Sequence, residues 1–137
     1  MSGYLLDTNI VSELRRRDRT NPGVLTWFHS VDDDDLFLSV MTLGEIRKGI
    51  EQLRRRDATQ AVVLEQWLNT LETTFAGRLL AVDSDAADQW GKLQAIRPVP
   101  IVDALLAATC LRDTLTLVTR NDTDFDGLGI SVLNPFS

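Results

Sequence analysis

Short apolar runs alternate with longer stretches of mixed polarity along the whole chain. The runs cover residues 4–6, 36–40, 79–82, 116–119 and 130–133, and their lengths are those of buried strands. Between the runs, apolar residues recur at helical spacing. Strands that alternate with helices are typical of an α/β fold around a mostly parallel sheet with right-handed crossovers. We therefore expect a three-layer α/β/α domain with a sheet of four or five strands.

The first two predicted helices have clear boundaries. One begins near Thr8 and ends in the arginine-rich segment 15–19. The next opens with Pro22, because proline is favoured in the first turn of a helix. The acidic run 32–35 then predicts a loop before the second strand.

Capping residues predict the boundaries of the later helices. Thr42 and Glu45 have the spacing of a capping box. Gly77 is expected to end the long helix before the third strand, and Ser84 to cap the helix after it. Residues 101–111 are nearly all apolar, so their helix is expected to be buried on most sides.

Composition favours a single domain over residues 1–137, since 44% of the residues are hydrophobic and can form a full core. No uncharged stretch reaches the roughly 18 residues of a membrane span, so we expect a cytoplasmic protein without membrane contact. The single cysteine, Cys110, lies in an apolar run and is expected to be a small buried side chain. The single histidine, His29, gives little support for a zinc site or a histidine-based triad.

The charge balance limits how the chain could bind nucleic acid. A net charge of -6 argues against binding through bulk electrostatics. An anionic substrate would need help from metal ions or from basic patches at residues 15–19, 47–48 and 54–56. For each patch the alternative is a solvated helix face.

Acidic residues follow the predicted strands at one edge of the sheet. Asp7 ends the first strand, and Glu45 lies in the helix that leaves the second. Asp103 is in the first turn of the helix that leads into the fourth strand, and Asp122 and Asp124 come directly after that strand. Because the carboxyl ends of parallel strands share one edge, we expect these carboxylates to converge.

Converging carboxylates repel one another by roughly a few kcal/mol per close pair. A divalent cation removes that repulsion, and oxygen ligands suit Mg²⁺ or Mn²⁺. Taken singly, the residues have other interpretations: Glu45 as part of the capping box, Asp103 as a favourable charge on a helix dipole, and Asp122 and Asp124 as turn formers. Asp7 is the hardest to explain by packing, because it ends a buried strand.

Four sequence blocks, in a characteristic order and spacing, carry a resemblance to a known family. They are LLDTN at residues 5–9, SVMTLGEIRKG at 39–49, PIVDALLAA at 100–108 and VTRNDTDF at 118–125. Through them nearly the whole chain resembles PIN-domain proteins, specifically VapC-type toxin ribonucleases of bacterial type II toxin–antitoxin pairs.

The resemblance implies a metal site. The matching acids, Asp7, Glu45 and Asp103, would bind one or two Mg²⁺ or Mn²⁺ ions, and a fourth acid is expected after the fourth strand. Here Asn121 occupies that place. The fourth ligand is therefore left open among Asn121, Asp122 and Asp124, with Asp122 taken as the catalytic one. Residues expected to orient the acids are Thr8, Asn9, Thr119 and Asn121, and those expected to contact the substrate are Arg47 and Lys48.

The resemblance also implies an activity and partners. Metal-dependent hydrolysis of an RNA phosphodiester would leave a 5′-phosphate and a 3′-hydroxyl. A VapB-like antitoxin would cover the active site, and the chain would form a homodimer. Apolar faces around Trp27, Phe28 and Trp67 are candidate contact surfaces, with core packing as the alternative for each.

Other function classes fit the residues less well. A phosphatase with an aspartyl nucleophile needs a second aspartate two positions after Asp7, where this chain has Asn9. A receiver-type signalling domain needs a lysine after its last strand, but Lys48 and Lys92 both lie on predicted helices. The remaining alternative is a catalytically degenerate PIN-fold module that binds RNA or protein.

Overall fold

Five short strands form one parallel sheet at the centre of the molecule. The computed structural model describes residues 3–137, with strands Tyr4–Leu6 (β1), Leu36–Ser39 (β2), Leu79–Leu80 (β3), Thr116–Val118 (β4) and Ser131–Leu133 (β5). The strand order is β3-β2-β1-β4-β5, and every neighbouring pair is parallel. The predicted α/β architecture is therefore confirmed.

Six α-helices connect the strands: Thr8–Leu14 (α1), Pro22–Ser30 (α2), Val40–Arg54 (α3), Ala58–Thr74 (α4), Ser84–Ile96 (α5) and Ile101–Asp113 (α6). Short 3-10 turns cover Arg17–Arg19, Asp33–Asp35 and Asp122–Phe125. The prediction that residues 32–35 form an irregular loop was wrong in part, because three of these aspartates form such a turn. Gly77 does follow the long helix, with a φ of +83° that favours glycine.

The sheet separates two apolar cores. Alternate residues of a strand face opposite sides, so Leu5 and Leu117 pack with α5 and α6, whereas Leu6 and Val118 pack with α1, α3 and α4. Both faces are covered, as is usual for a parallel sheet. Cys110 is 2% exposed within the first core, which confirms its interpretation as a small buried side chain.

The aromatic side chains that are candidates for contact surfaces are half-buried. Trp27, Phe28 and Trp67 all pack against the core that contains α1 and α3. Core packing therefore explains the buried part of each of these side chains.

Two helix starts differ from their predictions. The start of α3 is Val40, and the hydroxyl of Ser39 accepts the Met41 amide at 3.0 Å. The predicted capping box was wrong because Glu45 consequently lies in the second turn, beyond reach of the helix end. Likewise the residue that caps α5 is Asp83, which accepts the Ala86 amide at 3.0 Å, and Ser84 is the first helical residue.

No single helix in residues 3–137 is long and apolar enough to cross a membrane. Together α5 and α6 meet that test by length and composition, but they are bent by 119° at the break between them. Six of the 13 residues of α6 are buried in the core of the domain.

Candidate active site

The strand order reverses between β1 and β4, and this is the position where open α/β sheets form their binding crevice. Leu6 pairs with Val118, so the residues that follow, Asp7 and Thr119, leave the sheet side by side. The N-terminus of α6 comes to the same edge, because α6 runs antiparallel to the strand that it precedes. The carboxyl edge of the sheet therefore brings together the ends of β1 and β4 and the start of α6, which are far apart in the sequence.

Asp7 is held by three donors at this edge. Its Oδ1 accepts the Thr8 amide at 2.7 Å, which makes Asp7 the N-cap of α1. Its Oδ2 accepts the Thr119 hydroxyl at 2.8 Å and, more weakly, the Asn9 side-chain amide at 3.4 Å. A carboxylate has about four lone-pair sites, so Asp7 retains capacity for a further ligand.

Asn9 and Thr119 link Asp7 to the turn after β4. The Thr119 hydroxyl accepts hydrogen bonds from the Asn9 side chain at 3.3 Å and from the Asn121 amide at 3.1 Å. The Arg120 amide in turn donates to Asn9 Oδ1 at 3.1 Å. These contacts fix the orientation of both polar side chains against Asp7.

Glu45 is brought to the same edge by α3. Thr8 donates its hydroxyl to Glu45 Oε1 at 2.9 Å. Because Thr8 directly follows Asp7, this bond couples the end of β1 to the helix that leaves β2. Glu45 therefore does not cap α3 but contacts Thr8 at the acidic edge of the sheet.

Four carboxylates influence one another at this edge. Burial raises the pKa of Asp7 above its ordinary value of 3.8, and the charges of Glu45 and Asp124 raise it further, against the hydrogen bonds from Thr119 and Thr8. Burial also raises the pKa of Asp103 above 3.8, and the charges of Asp7, Asp124 and Glu45 add to the rise. None of the four has an ion-pair partner within residues 3–137.

The two acids after β4 are placed differently by the Asp122–Phe125 turn. Asp124 lines an open cavity of about 440 Å³ together with Asp103 and Arg97. Asp122 instead accepts a hydrogen bond from the Asn134 side chain at 3.3 Å. The structure thus brings Asp7, Glu45, Asp103 and Asp124 together, and Asp122 is not among the acids that raise the pKa of Asp7 or Asp103.

Arg97 fixes the turn that carries Asp124. One Nη of Arg97 donates to the carbonyl oxygens of Asp124 and Asp126, both at 2.9 Å. Arg97 forms no ion pair with a carboxylate in the described part of the chain. The sequence carries no signal of this contact, because Arg97 directly precedes Pro98 and that position indicates only a helix end.

The oxygen atoms of the acidic cluster suit a hard cation, but the carboxylates do not surround a metal site. All four side chains offer oxygen, and a cation would remove the repulsion among them. No group of three acidic, histidine or cysteine side chains in residues 3–137 lies close enough to enclose a metal ion. Mg²⁺ characteristically keeps several waters and takes only one or two carboxylates directly, so the residues fit an ion bound in part through water.

The basic residues expected to contact a substrate have other surroundings. Arg47 on α3 donates to Glu51 and to Glu65 on α4, and Arg54 pairs with the same two acids. These pairs tie α3 to α4, and neither arginine is among the hydrogen-bond donors to Asp7. Lys48 is exposed beside them on α3.

The protein is therefore of the class of parallel α/β domains that carry an acidic cluster at the switch point of the sheet. Within it, the chain belongs to the PIN domain family, whose sequence profile matches residues 4–130. The plasmid stability protein StbB of Pseudomonas syringae is 33% identical in an alignment of 140 positions that covers 96% of this chain and 97% of the relative. Toxin FitB of Neisseria gonorrhoeae is 30% identical in an alignment of 137 positions that covers 96% of this chain and 97% of the relative.

Another relative is named a ribonuclease. The VapC ribonuclease Y4jK of Sinorhizobium fredii is 29% identical in an alignment of 140 positions that covers 96% of each chain. Among solved structures, FitAcB from Neisseria gonorrhoeae superimposes with a TM-score of 0.86 at 30% identity, covering 96% of this chain and 97% of that one. FitAB bound to a DNA fragment superimposes with a TM-score of 0.85 at 28% identity, over 98% and 96% of the chains.

Proposed function

We propose that this PIN-domain protein is the ribonuclease toxin of a toxin–antitoxin pair and acts in the cytoplasm with Mg²⁺ or Mn²⁺. The observation that carries the proposal is the cluster of four carboxylates at the switch point of the sheet, none of which has an ion-pair partner among residues 3–137. Full-length similarity to a protein named a VapC ribonuclease and to one named a toxin supports it.

Asp7 and Asp103 are the proposed principal metal ligands, since burial and like charges make both costly to ionise without a cation. Glu45 and Asp124 would complete the site directly or through water. In this proposal Asp124 takes the place of the fourth acid, in preference to Asp122, because Asp124 lines the same cavity as Asp103 and its charge acts on Asp7 and Asp103. When bound, the metal would lower the pKa of a water molecule and offset charge on the phosphodiester.

The neighbouring polar residues orient these acids. Thr119 and Asn9 both donate to Asp7 Oδ2, and Thr8 donates to Glu45. Such bonds fix the direction of each carboxylate and leave its other lone pairs for the cation. Asn121 contributes only its backbone amide to Thr119.

Arg97 is the proposed contact for the RNA backbone. It lines the cavity beside Asp103 and Asp124, and its guanidinium uses one nitrogen for the turn, so its other N–H groups remain available to a phosphate. Arg47 is less suited, because Glu51 and Glu65 already neutralise it. RNA would be selected by shape and single-stranded loops more than by base-edge contacts.

The proposed partner is an antitoxin, in keeping with the FitAB complex structure among the similar ones. An apolar cavity of about 200 Å³ between α1, α2 and α4 suits its apolar side chains, and Leu14, Phe28, Trp67 and Leu71 are in its lining. We also expect a homodimer. Ile96 and Ile101, 59% and 65% exposed at the corner between α5 and α6, offer a small apolar surface for it.

A degenerate PIN-fold binding module is the second candidate, because no three acids are close enough to enclose a metal in the part of the chain described. Purified protein, free of any partner, should be incubated with structured RNAs in Mg²⁺, in Mn²⁺ and in EDTA. The ribonuclease proposal predicts fragments with 5′-phosphate ends only when metal is present. RNA that is bound but left intact under every condition would favour the binding module.

A further inference from the structure

The last four residues, Asn134–Ser137, cross from the end of β5 to the start of α2, and we call this segment the strap. On its way it lies against the turn after β4, whose residues contact Asp7. The strap thus joins two parts of the domain that are about a hundred residues apart in sequence.

At the β4 turn the strap holds Arg120 by its backbone and its side chain. Asn134 donates its side-chain amide to the Arg120 carbonyl at 3.1 Å and to Asp122 Oδ1 at 3.3 Å. The Phe136 ring lies under the Arg120 guanidinium, 4.8 Å from it. Asn134 Oδ1 also accepts the Phe136 amide at 3.0 Å, which orders the strap itself.

At the other end the strap is fixed to the first turn of α2. The amide and hydroxyl of Ser137 donate to Asn21 Oδ1 at 3.1 and 3.3 Å, and the Gly23 amide donates to the Ser137 hydroxyl at 3.2 Å. A Cβ at Gly23 would lie 2.4 Å from the Pro135 carbonyl oxygen, so only glycine allows this approach.

Arg120 connects the strap to the acidic cluster. Its amide donates to Asn9 Oδ1, and this bond turns the Asn9 amide nitrogen toward Asp7 and Thr119. The strap fixes the peptide that follows Arg120 while Asn9 binds the peptide before it. Displacement of the strap would therefore loosen one of the three donors of Asp7.

The capping of α2 does not explain Asn134. Asn21 already accepts the amides of Gly23 and Val24 at 3.0 and 3.3 Å, which is a complete cap without the strap. Asn134 makes no side-chain hydrogen bond to α2 among the described residues and reaches only the β4 turn and Phe136.

We propose that the strap is a positioning element of the acidic site and that Asn134 is its positioning residue, acting on Asp7 through Arg120 and Asn9. This inference rests on the proposed function for its effect on metal binding. Its structural part, the coupling from Asn134 to Asn9, is independent of any metal.

The test compares wild type with Asn134→Ala, Gly23→Ala and the control Asn69→Ala, in which the altered side chain is exposed on α4. Mn²⁺ affinity is measured by titration calorimetry on the folded proteins. We expect both strap variants to bind Mn²⁺ about 10-fold more weakly, because loss of a group that orients a ligand costs about 10- to 100-fold. Asn69→Ala should bind like wild type.

A metal-free readout separates this inference from the proposed function. Hydrogen exchange of the Arg120 amide, which is bonded to the Asn9 side chain, should be faster in Asn134→Ala while the Leu25 amide in α2 keeps its protection. Unchanged exchange at Arg120, or lower thermal stability with unchanged Mn²⁺ affinity, would overturn the positioning role. If wild type neither binds Mn²⁺ nor cuts RNA, the proposed function fails and the exchange result alone decides the strap.

Discussion

Asp7 serves the fold and the proposed chemistry with different atoms. Its Oδ1 caps α1, and its Oδ2 accepts bonds from Thr119 and Asn9. Burial and the neighbouring acids nevertheless raise its pKa, so the ionised carboxylate is an unfavourable feature of the metal-free protein. The ionised carboxylate of Asp103, at the start of α6, is unfavourable for the same reason.

Removing these two charges should stabilise the metal-free protein at neutral pH. The folded-state pKa values lie above 3.8, so folding takes up protons between 3.8 and the raised values, and stability from these groups falls as the pH rises through that window. The double variant Asp7→Asn, Asp103→Asn should therefore unfold at higher urea concentration than wild type at pH 7 in EDTA. That advantage should shrink as the pH falls toward 3.8. An advantage that does not change with pH, or a less stable variant, would contradict this account.

Asp124 and Asp122 should differ in their effect on Mn²⁺ binding. Asp124→Asn should weaken Mn²⁺ binding by about 10- to 100-fold, because it removes from the cluster a negative charge that lies close enough to raise the pKa of Asp7 and of Asp103. Asp122→Asn should remain within about 3-fold of wild type, since an asparagine oxygen can still accept from Asn134. Calorimetric titration of both variants decides between the two acids, and the reverse order would restore Asp122 as the fourth ligand.

The residue at which α3 begins determines which contact Glu45 makes. The prediction of a capping box was wrong because the helix begins at Val40, immediately after β2, with Ser39 as its cap. Glu45 then lies in the second turn and meets Thr8. Thr42 is left fully buried, and its hydroxyl has no hydrogen-bond partner within residues 3–137.

These positions predict different effects of two small substitutions, one at the cap of α3 and one in its first turn. Ser39→Ala should lower the free energy of unfolding by about 1 kcal/mol, because the Met41 amide loses its acceptor. Thr42→Val should leave it unchanged or raise it by about 1 kcal/mol, because an unpaired buried hydroxyl is removed at almost constant volume. Urea unfolding of both variants provides the measurement. A clear loss of stability in Thr42→Val would indicate that this hydroxyl has a partner.

At the scale of the molecule, the fold and its functional edge could be predicted because they depend on long-range order in the sequence. Alternating strands and helices determine a parallel sheet, and Asp7 directly follows its central strand. Which of Asp122 and Asp124 lines the cavity beside Asp103 could not be predicted, since this placement depends on a four-residue turn held by the distant Arg97. The strap was missed for the same reason: Asn134 carries no local signal of its contact with Arg120.

In the proposed function, the carboxylate cluster of this protein of net charge -6 binds a cation and cleaves RNA. The most direct measurement is the rate of RNA cleavage against Mn²⁺ concentration for wild type, for Asp7→Asn with Asp103→Asn, and for Asp34→Asn. Asp34 is a matched control, because it is an exposed aspartate before β2, at the opposite edge of the sheet. Wild type and Asp34→Asn should show the same saturable, Mn²⁺-dependent cleavage, and the double variant should be slower by at least about 100-fold. Cleavage by the double variant at the wild-type rate, or equal cleavage by wild type in EDTA, would contradict the account.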